Sequence, residues 1–362
     1  MKKGVFLPIS GFLTLGILTG MLWIRPKTTL ETVAGGDKPD RHPRELGSVG
    51  WLRGYDNAVK QARAQRKDLL ILFQEVPGCA TCVGYGQEVL SQPLIVEAIE
   101  NEFVPLAVYN NIGGEDRATL EKFGEPSWNN PVVRIVSADG TERAPRLNGD
   151  YSQAGIVSSM VTALRNTGKP VPEYLRLLKS ELDMQSHHLE TATFAMYCFW
   201  TGEAELGNLE GVASTRAGYL NGKEVVEVVY DPSVLPYDKL VREAGHRECA
   251  TTVFSRTATQ QAVARGIVKD AVLTTKAIRP DREPKYYRSR TLLQFVPMTE
   301  LQSARVNSAI AAGNDPGLYL SPEQRRMLEY IKSHPSAKWK NLIGIDDLRQ
   351  PWDEVVALMS EH

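Results

Sequence analysis

Apolar and polar positions along this chain fall into blocks that mark out its elements. Val5 to Ile24 is a run of twenty uncharged residues, between Met1-Lys2-Lys3 and Arg25-Pro26-Lys27. A helix rising about 1.5 Å per residue just spans a hydrocarbon core over that length. A secretory signal has a shorter apolar region with a small-residue cleavage site close behind it. The nearest candidate here, Thr32-Val33-Ala34, lies well past the run. Residues 1–27 therefore read as an N-terminal transmembrane helix acting as an uncleaved membrane anchor, in preference to a signal whose cleavage would release the protein. The basic flanks favour the N-terminus inside and the body in an extracytoplasmic space, periplasm or cell envelope. Residues 28–50, rich in Thr, Gly, Asp, Pro and Arg without an apolar period, read as a linker.

Beyond residue 50 the pattern is that of a globular α/β chain. Ala58 and Ala62 share one face of a helix predicted over Gly54–Arg66. Asp68-Leu69-Leu70-Ile71-Leu72-Phe73 is a short apolar run with polar residues at its ends, the mark of a fully buried strand. A glycine-bearing turn follows, then a helical stretch through Glu97–Glu102. Phe103–Tyr109 and Val132–Val136 repeat the buried-strand pattern, so residues 51–168 read as one α/β domain. Residues 152–190 are mostly helical. Gly168-Lys169-Pro170-Val171-Pro172 breaks them in two, leaving a helical linker over 169–190. A second α/β pattern fills 191–312: strand, helix, strand, strand (Glu224–Tyr230), helix, and later a strand at Thr291–Val296. Arg288 and Arg290 beside Tyr286-Tyr287 read as alternating charge on a strand edge. Gly313-Asn314-Asp315-Pro316-Gly317 opens a helical, polar segment over 313–362, with Glu323–Lys332 as a solvated surface helix. Trp339 and Trp352 fit either packing back on the body or a partner surface.

Composition excludes classes without naming a function. The 362 residues suggest two domains with connecting material. Lys plus Arg is 42 against Asp plus Glu 43, for a net charge of −1, which argues against a nucleic-acid binder. A hydrophobic share of 42% argues against disorder. Four cysteines, at 79, 82, 198 and 249, are too few to staple a chain of this size.

Two of those cysteines form a motif. Val76-Pro77-Gly78-Cys79-Ala80-Thr81-Cys82 follows the buried strand and precedes a helix. A cysteine at a helix N-terminus meets the positive end of the dipole, which stabilises its thiolate. The two-residue gap lets Cys82 attack a mixed disulfide made by Cys79, which is dithiol exchange. Half of a zinc site is the competing reading, but it needs a second Cys or Cys/His pair, and His187-His188 falls in the helical linker. No metal or cofactor is expected. The stretch resembles the thioredoxin superfamily over residues 51–165, most closely the branch found in transmembrane thiol-electron carriers, where a segment like Leu90–Ala98 follows the active-site helix. The resemblance implies a thioredoxin-like fold and a cis-proline opposite the cysteines, matched by Pro131 in Asn130-Pro131. The family commonly has Trp before the first cysteine, where this chain has Gly78.

Thr193-Phe194-Ala195-Met196-Tyr197-Cys198-Phe199-Trp200 puts a third cysteine at a strand-to-helix junction, with two aromatics behind it. A lone cysteine among apolar residues is commonly inert core; the junction and the dithiol in the same chain argue otherwise. Residues 191–312 resemble the A-type peptide methionine sulfoxide reductases, through Ala195–Trp200, Glu203, Gly211-Val212, Ala217-Gly218-Tyr219, Val228–Val234 and Tyr287-Arg288-Ser289. Gly normally stands in that family where this chain has Tyr197.

The resemblance implies a ferredoxin-like α/β plait and a defined reaction: reduction of methionine-S-sulfoxide in oxidised proteins or peptides. The Cys198 thiolate attacks the sulfoxide sulfur, the oxygen is protonated, and methionine departs from a cysteine sulfenic acid. Phe199 and Trp200 would cage the methyl group, Glu203 would belong to the substrate site, and Tyr219 and Tyr287 would donate to the oxygen. The family's loop glutamate after its first tyrosine is missing, because Tyr219–Glu224 runs straight into a strand. Glu224 matches a different family carboxylate, and Asp281 sits one residue out of register. Asp281, Glu203 and Glu224 all remain possible substitutes. Cys249 is either the resolving cysteine or core; in the second case Cys79 would reduce Cys198 directly. An upstream thiol reductant would recharge Cys79/Cys82. Two other readings stand beside this one. The chain could be a thiol–disulfide oxidoreductase with a degenerate second domain, or Leu209–Leu240 could belong to a small metal-carrying plait.

Overall fold

A computed structural model describes residues 43–360, all within one compact unit. The apolar run Val5–Ile24 lies outside the described residues; among the described residues no helix is long and apolar enough to cross a membrane.

The first half comprises α1 (Tyr55–Gln65), β1 (Asp68–Gln74), α2 (Ala80–Glu88), α3 (Pro93–Glu102), β2 (Phe103–Tyr109), α4 (Glu115–Phe123), β3 (Val132–Val136), β4 (Leu147–Asn148) and α5 (Gln153–Asn166). Its sheet runs β2-β1-β3-β4, with β1 parallel to β2 and antiparallel to β3. Leu70 and Leu72 pack with Leu94, Ile95 and Ile156 on one face, and Leu69, Ile71 and Phe73 with Ala58, Ala62 and Leu120 on the other. A strand covered on both faces has no solvated side, hence its unbroken apolar sequence. The helix α6 (Glu173–Gln185), expected as a linker, is wedged between the halves. Its Tyr174, Leu175 and Leu178 join the first core, and Leu177 and Met184 pack with Leu301 of the second half.

The second half contains β5 (Glu190–Ala195), α7 (Phe199–Gly207), β6 (Val212–Leu220), β7 (Lys223–Tyr230), α8 (Tyr237–His246), β8 (Thr252–Ser255), α9 (Ala258–Arg265), β9 (Ala271–Leu273), β10 (Arg279–Pro280), α10 (Tyr286–Ser289) and α11 (Glu300–Ala311). The sheet order is β10-β6-β7-β5-β8-β9. Its middle four strands are antiparallel throughout, with α7 and α8 as crossovers, which is the split βαβ arrangement of a ferredoxin-like plait. Asn221 and Gly222, with φ of 50° and 77°, supply the positive pair that a two-residue hairpin turn needs. That turn seats Tyr219 directly opposite Glu224.

Several expectations are corrected. The linker does not reach residue 50: Leu46 and Val49 are buried, and the Trp51 indole donates to the Leu46 carbonyl at 2.8 Å. Residues 43–50 are too few to show a period, yet Leu46 and Val49 both join the core. Thr291–Val296 is not a strand; Leu292–Phe295 forms a 3-10 turn after Thr291. The cause is Arg288, which stands on no strand edge but sits fully buried in α10. Its guanidinium donates to the carbonyls of Leu293 (3.2 Å) and Val296 (2.8 Å) and to Ser303 Oγ (2.5 Å). Carbonyls spent this way are lost to a strand ladder. The tail helix α12 (Pro322–Ser333) is not simply solvated: Gln324, Met327 and Ile331 are buried at helical spacing. The closing helix α13 (Arg349–Ser360) brings Trp352 and Val355 into the core of the first half.

Candidate active site

Two thiol sites emerge, each where a strand hands over to a helix. In the first, β1 ends at Gln74, the Val76–Pro77 bond is cis, and Cys79 is the N-cap residue of α2. A Cβ on Gly78 would lie 2.1 Å from the Glu75 carbonyl and 2.8 Å from Cys82 Cβ. Only glycine fits so tight a turn, which accounts for the residue standing where Trp is common. The Gly78 N–H is held by Glu45 Oε1 at 2.8 Å. Cys79 is exposed and Cys82 buried, with their sulfurs 3.5 Å apart. Cys82 Sγ donates to Asn130 Oδ1 at 2.8 Å, and Asn130–Pro131 is the second cis bond.

The two thiols are electrostatically unlike. A hydrogen bond from the Cys82 backbone, with others from Thr81 and the Cys82 thiol, holds Cys79 below its ordinary range. Burial pushes Cys82 up to about 12. Of the two, Cys79 is thus the sulfur suited to attack and Cys82 the one that burial keeps protonated.

In the second site β5 ends at Ala195 and Cys198 is the N-cap residue of α7, half-buried. Thr201 Oγ1 lies 3.5 Å from Cys198 Sγ and 3.1 Å from the Tyr287 hydroxyl, so a chain of hydroxyls leads to the sulfur. Phe199 is buried, with the Tyr219 ring edge-on to it at 5.2 Å. Trp200 stacks on Tyr286 at 3.9 Å and donates its indole N–H to Asp281 Oδ2 at 3.0 Å.

The three candidate carboxylates separate clearly. Glu203 is buried, and its two oxygens accept from the Lys285 backbone N–H and ammonium at 3.0 and 3.1 Å. Asp281 is engaged by Trp200. Glu224 meets the first backbone group of α7: its Oε2 accepts from the Phe199 N–H at 3.1 Å, next to Cys198. Sequence reading left Glu224 among three options because its partner lies 25 residues away across a strand pair. Thr201 and Tyr286 were missed outright; helical spacing from Cys198 could have found only Thr201.

Cys249 is buried in the second core, and burial pushes its thiol up to about 11. Ala195 pairs with Thr252 and Phe194 with Val253. Continuing that register three steps brings positions 198 and 249 to the same end of the sheet. Cys198 is accordingly among the groups whose charge acts on Cys249. All four thiols are free. His187 belongs to neither site; its Nδ1 lies 2.5 Å from Asp231 Oδ2.

Fold and sites together define a dithiol-bearing thioredoxin-like half joined to a plait with a second cysteine centre. Residues 50–138 match a family model described as thioredoxin-like. A 75-residue stretch is 41% identical to the peptide methionine sulfoxide reductase MsrA of Geobacter metallireducens, covering 16% of this chain and 46% of that protein. A 95-residue stretch is 35% identical to the protein of the same name from Shigella boydii serotype 4, covering 22% and 45%. The chain thus spans under half the length of these curated relatives. Among solved structures, an oxidoreductase named DsbH aligns at 16% identity with a TM-score of 0.29, over 36% of this chain and 95% of that one.

Proposed function

We propose that this protein reduces methionine-S-sulfoxide in oxidised proteins or peptides, with Cys198 as nucleophile and Cys79/Cys82 as its built-in electron donor. The observation that carries the reading is the setting of Cys198: a helix N-cap sulfur reached by the Tyr287–Thr201 hydroxyls, flanked by Glu224 and walled by Phe199, Trp200 and Tyr219. The Cys198 thiolate attacks the sulfoxide sulfur while Glu224 protonates the oxygen. The sulfide departs, and Cys198 is left as a sulfenic acid. Cys249 condenses with it, releasing water and forming a Cys198–Cys249 disulfide. Cys79 opens that disulfide, Cys82 closes the Cys79–Cys82 bond, and an upstream thiol reductant restores the dithiol.

A single turnover tests this. The reduced chain, mixed with a methionine-S-sulfoxide peptide and no added reductant, should release methionine peptide and accumulate a disulfide; Cys198→Ser should release none. No methionine peptide from the wild type would defeat the proposal. The Val5–Ile24 run would anchor the chain with its body on the extracytoplasmic side. Membrane fractionation and protease access from outside check that placement.

A further inference from the structure

Glu75 takes no part in the reaction above. It is half-buried, and its carboxylate makes no hydrogen bond or ion pair among the described residues. Yet one of its oxygens and the sulfurs of Cys79 and Cys82 all lie within 4.8 Å of one another. The turn at Gly78, too tight for a side chain, folds residue 75 back beside residues 79–82.

We propose that the reduced dithiol and Glu75 form a mononuclear site for a thiophilic divalent cation of the zinc type, bound by two thiolates and one carboxylate with a fourth position open to water. The sulfurs are 3.5 Å apart. Two thiolates on one tetrahedral zinc stand about 3.8 Å apart, so the pair is set almost as a metal would set it. The carboxylate oxygen has to come to about 3.6 Å from each sulfur, a movement of about 1 Å for a side chain that nothing holds. Entry is from the exposed side of Cys79. Binding displaces two thiol protons, one of them the proton Cys82 now donates to Asn130 Oδ1. The Asn130 amide can then turn its NH₂ toward the thiolate, as outer-shell groups do around metal ligands. Two soft sulfurs favour zinc or cadmium over magnesium or calcium.

Glu75 distinguishes this site from a bare dithiol. Oxidation joins the two sulfurs and removes two ligands, so cation and disulfide exclude each other and a bound cation withholds the electron pair from any acceptor. This holds whether or not Cys198 reduces sulfoxides.

The test titrates zinc into the full-length chain, reduced and disulfide forms separately, against a chromophoric chelator. One tight zinc per reduced chain is expected, with none in the disulfide form or in Cys79→Ser. Glu75→Gln should weaken binding about 10-fold while still exchanging its dithiol with a disulfide peptide. Cadmium NMR of the unaltered protein reads the donor set even if that variant does not fold. A two-sulfur, oxygen-containing shift supports the site; an all-sulfur or all-oxygen shift overturns it. Undiminished affinity in Glu75→Gln, or zinc binding that survives loss of both Cys79 and Cys82, would likewise end the proposal.

Discussion

Cys79 and Cys198 occupy equivalent positions in local geometry: each is the N-cap residue of a helix that follows shortly after a strand. Their surroundings differ completely. Cys79 has a second sulfur at 3.5 Å, an amide carbonyl behind that sulfur and an exposed face. Cys198 has hydroxyls, a carboxylate and stacked rings around it, and no sulfur bonded to it. Backbone position thus sets only the general reactivity of a thiol. A paired sulfur makes a centre that can both give and take electrons, whereas proton donors and an aromatic wall make one suited to a bound polar substrate.

The contrast can be broken at several points. The largest effect is expected from Cys198→Ser, which should abolish release of methionine from a sulfoxide peptide while insulin-disulfide reduction by Cys79/Cys82 persists; joint loss would mean the two centres are not separable. Glu224→Gln should lower kcat by about 10²–10⁴-fold, the usual reach of general acid catalysis. A smaller loss would return the role to another group.

Alkylation of the reduced, chelator-treated protein should separate the thiols by pH. Cys79, whose folded-state value is lowered, gains thiolate character and reacts first, with a midpoint below the ordinary thiol range. Cys249, raised to about 11, should stay protonated and slow until strongly alkaline pH. Peptide mapping across the pH series checks the order. The smallest effect belongs to Tyr287→Phe, which removes one hydroxyl from the Thr201 chain. A neutral hydrogen bond contributes about 1 kcal/mol net, so kcat should fall about fivefold with little change in dithiol exchange.

Much of this architecture was legible in the sequence. Phe103–Tyr109 and Val132–Val136 match β2 and β3 residue for residue, because unbroken apolar runs between polar ends admit few other structures. The dithiol was legible for a similar reason, its chemistry being local to four residues. Features set by distant partners were not. Arg288 looks like a surface charge until the carbonyls of Leu293 and Val296 and the hydroxyl of Ser303 close around it. Glu224 acquires meaning only when the Asn221-Gly222 turn and the β5–β7 pairing carry it to Phe199. Cys249 reaches the Cys198 end of the sheet through a register that no single segment encodes.

The course of α13 has a consequence for how the molecule is made. Leu348, Trp352 and Val355 complete a core whose other walls are Leu70, Leu94 and Ile156. A ribosome delivers the N-terminal part of a chain first, and domains generally fold as units as they emerge. Here residues 43–166 emerge with one wall of their core still unsynthesised, and they wait for the whole plait before it arrives. The dithiol therefore comes to rest in a finished fold only after Cys198 and Cys249 have been translated. A chain released early should expose apolar surface and be open to clearance by proteases, so the dithiol would rarely exist without the Cys198 centre.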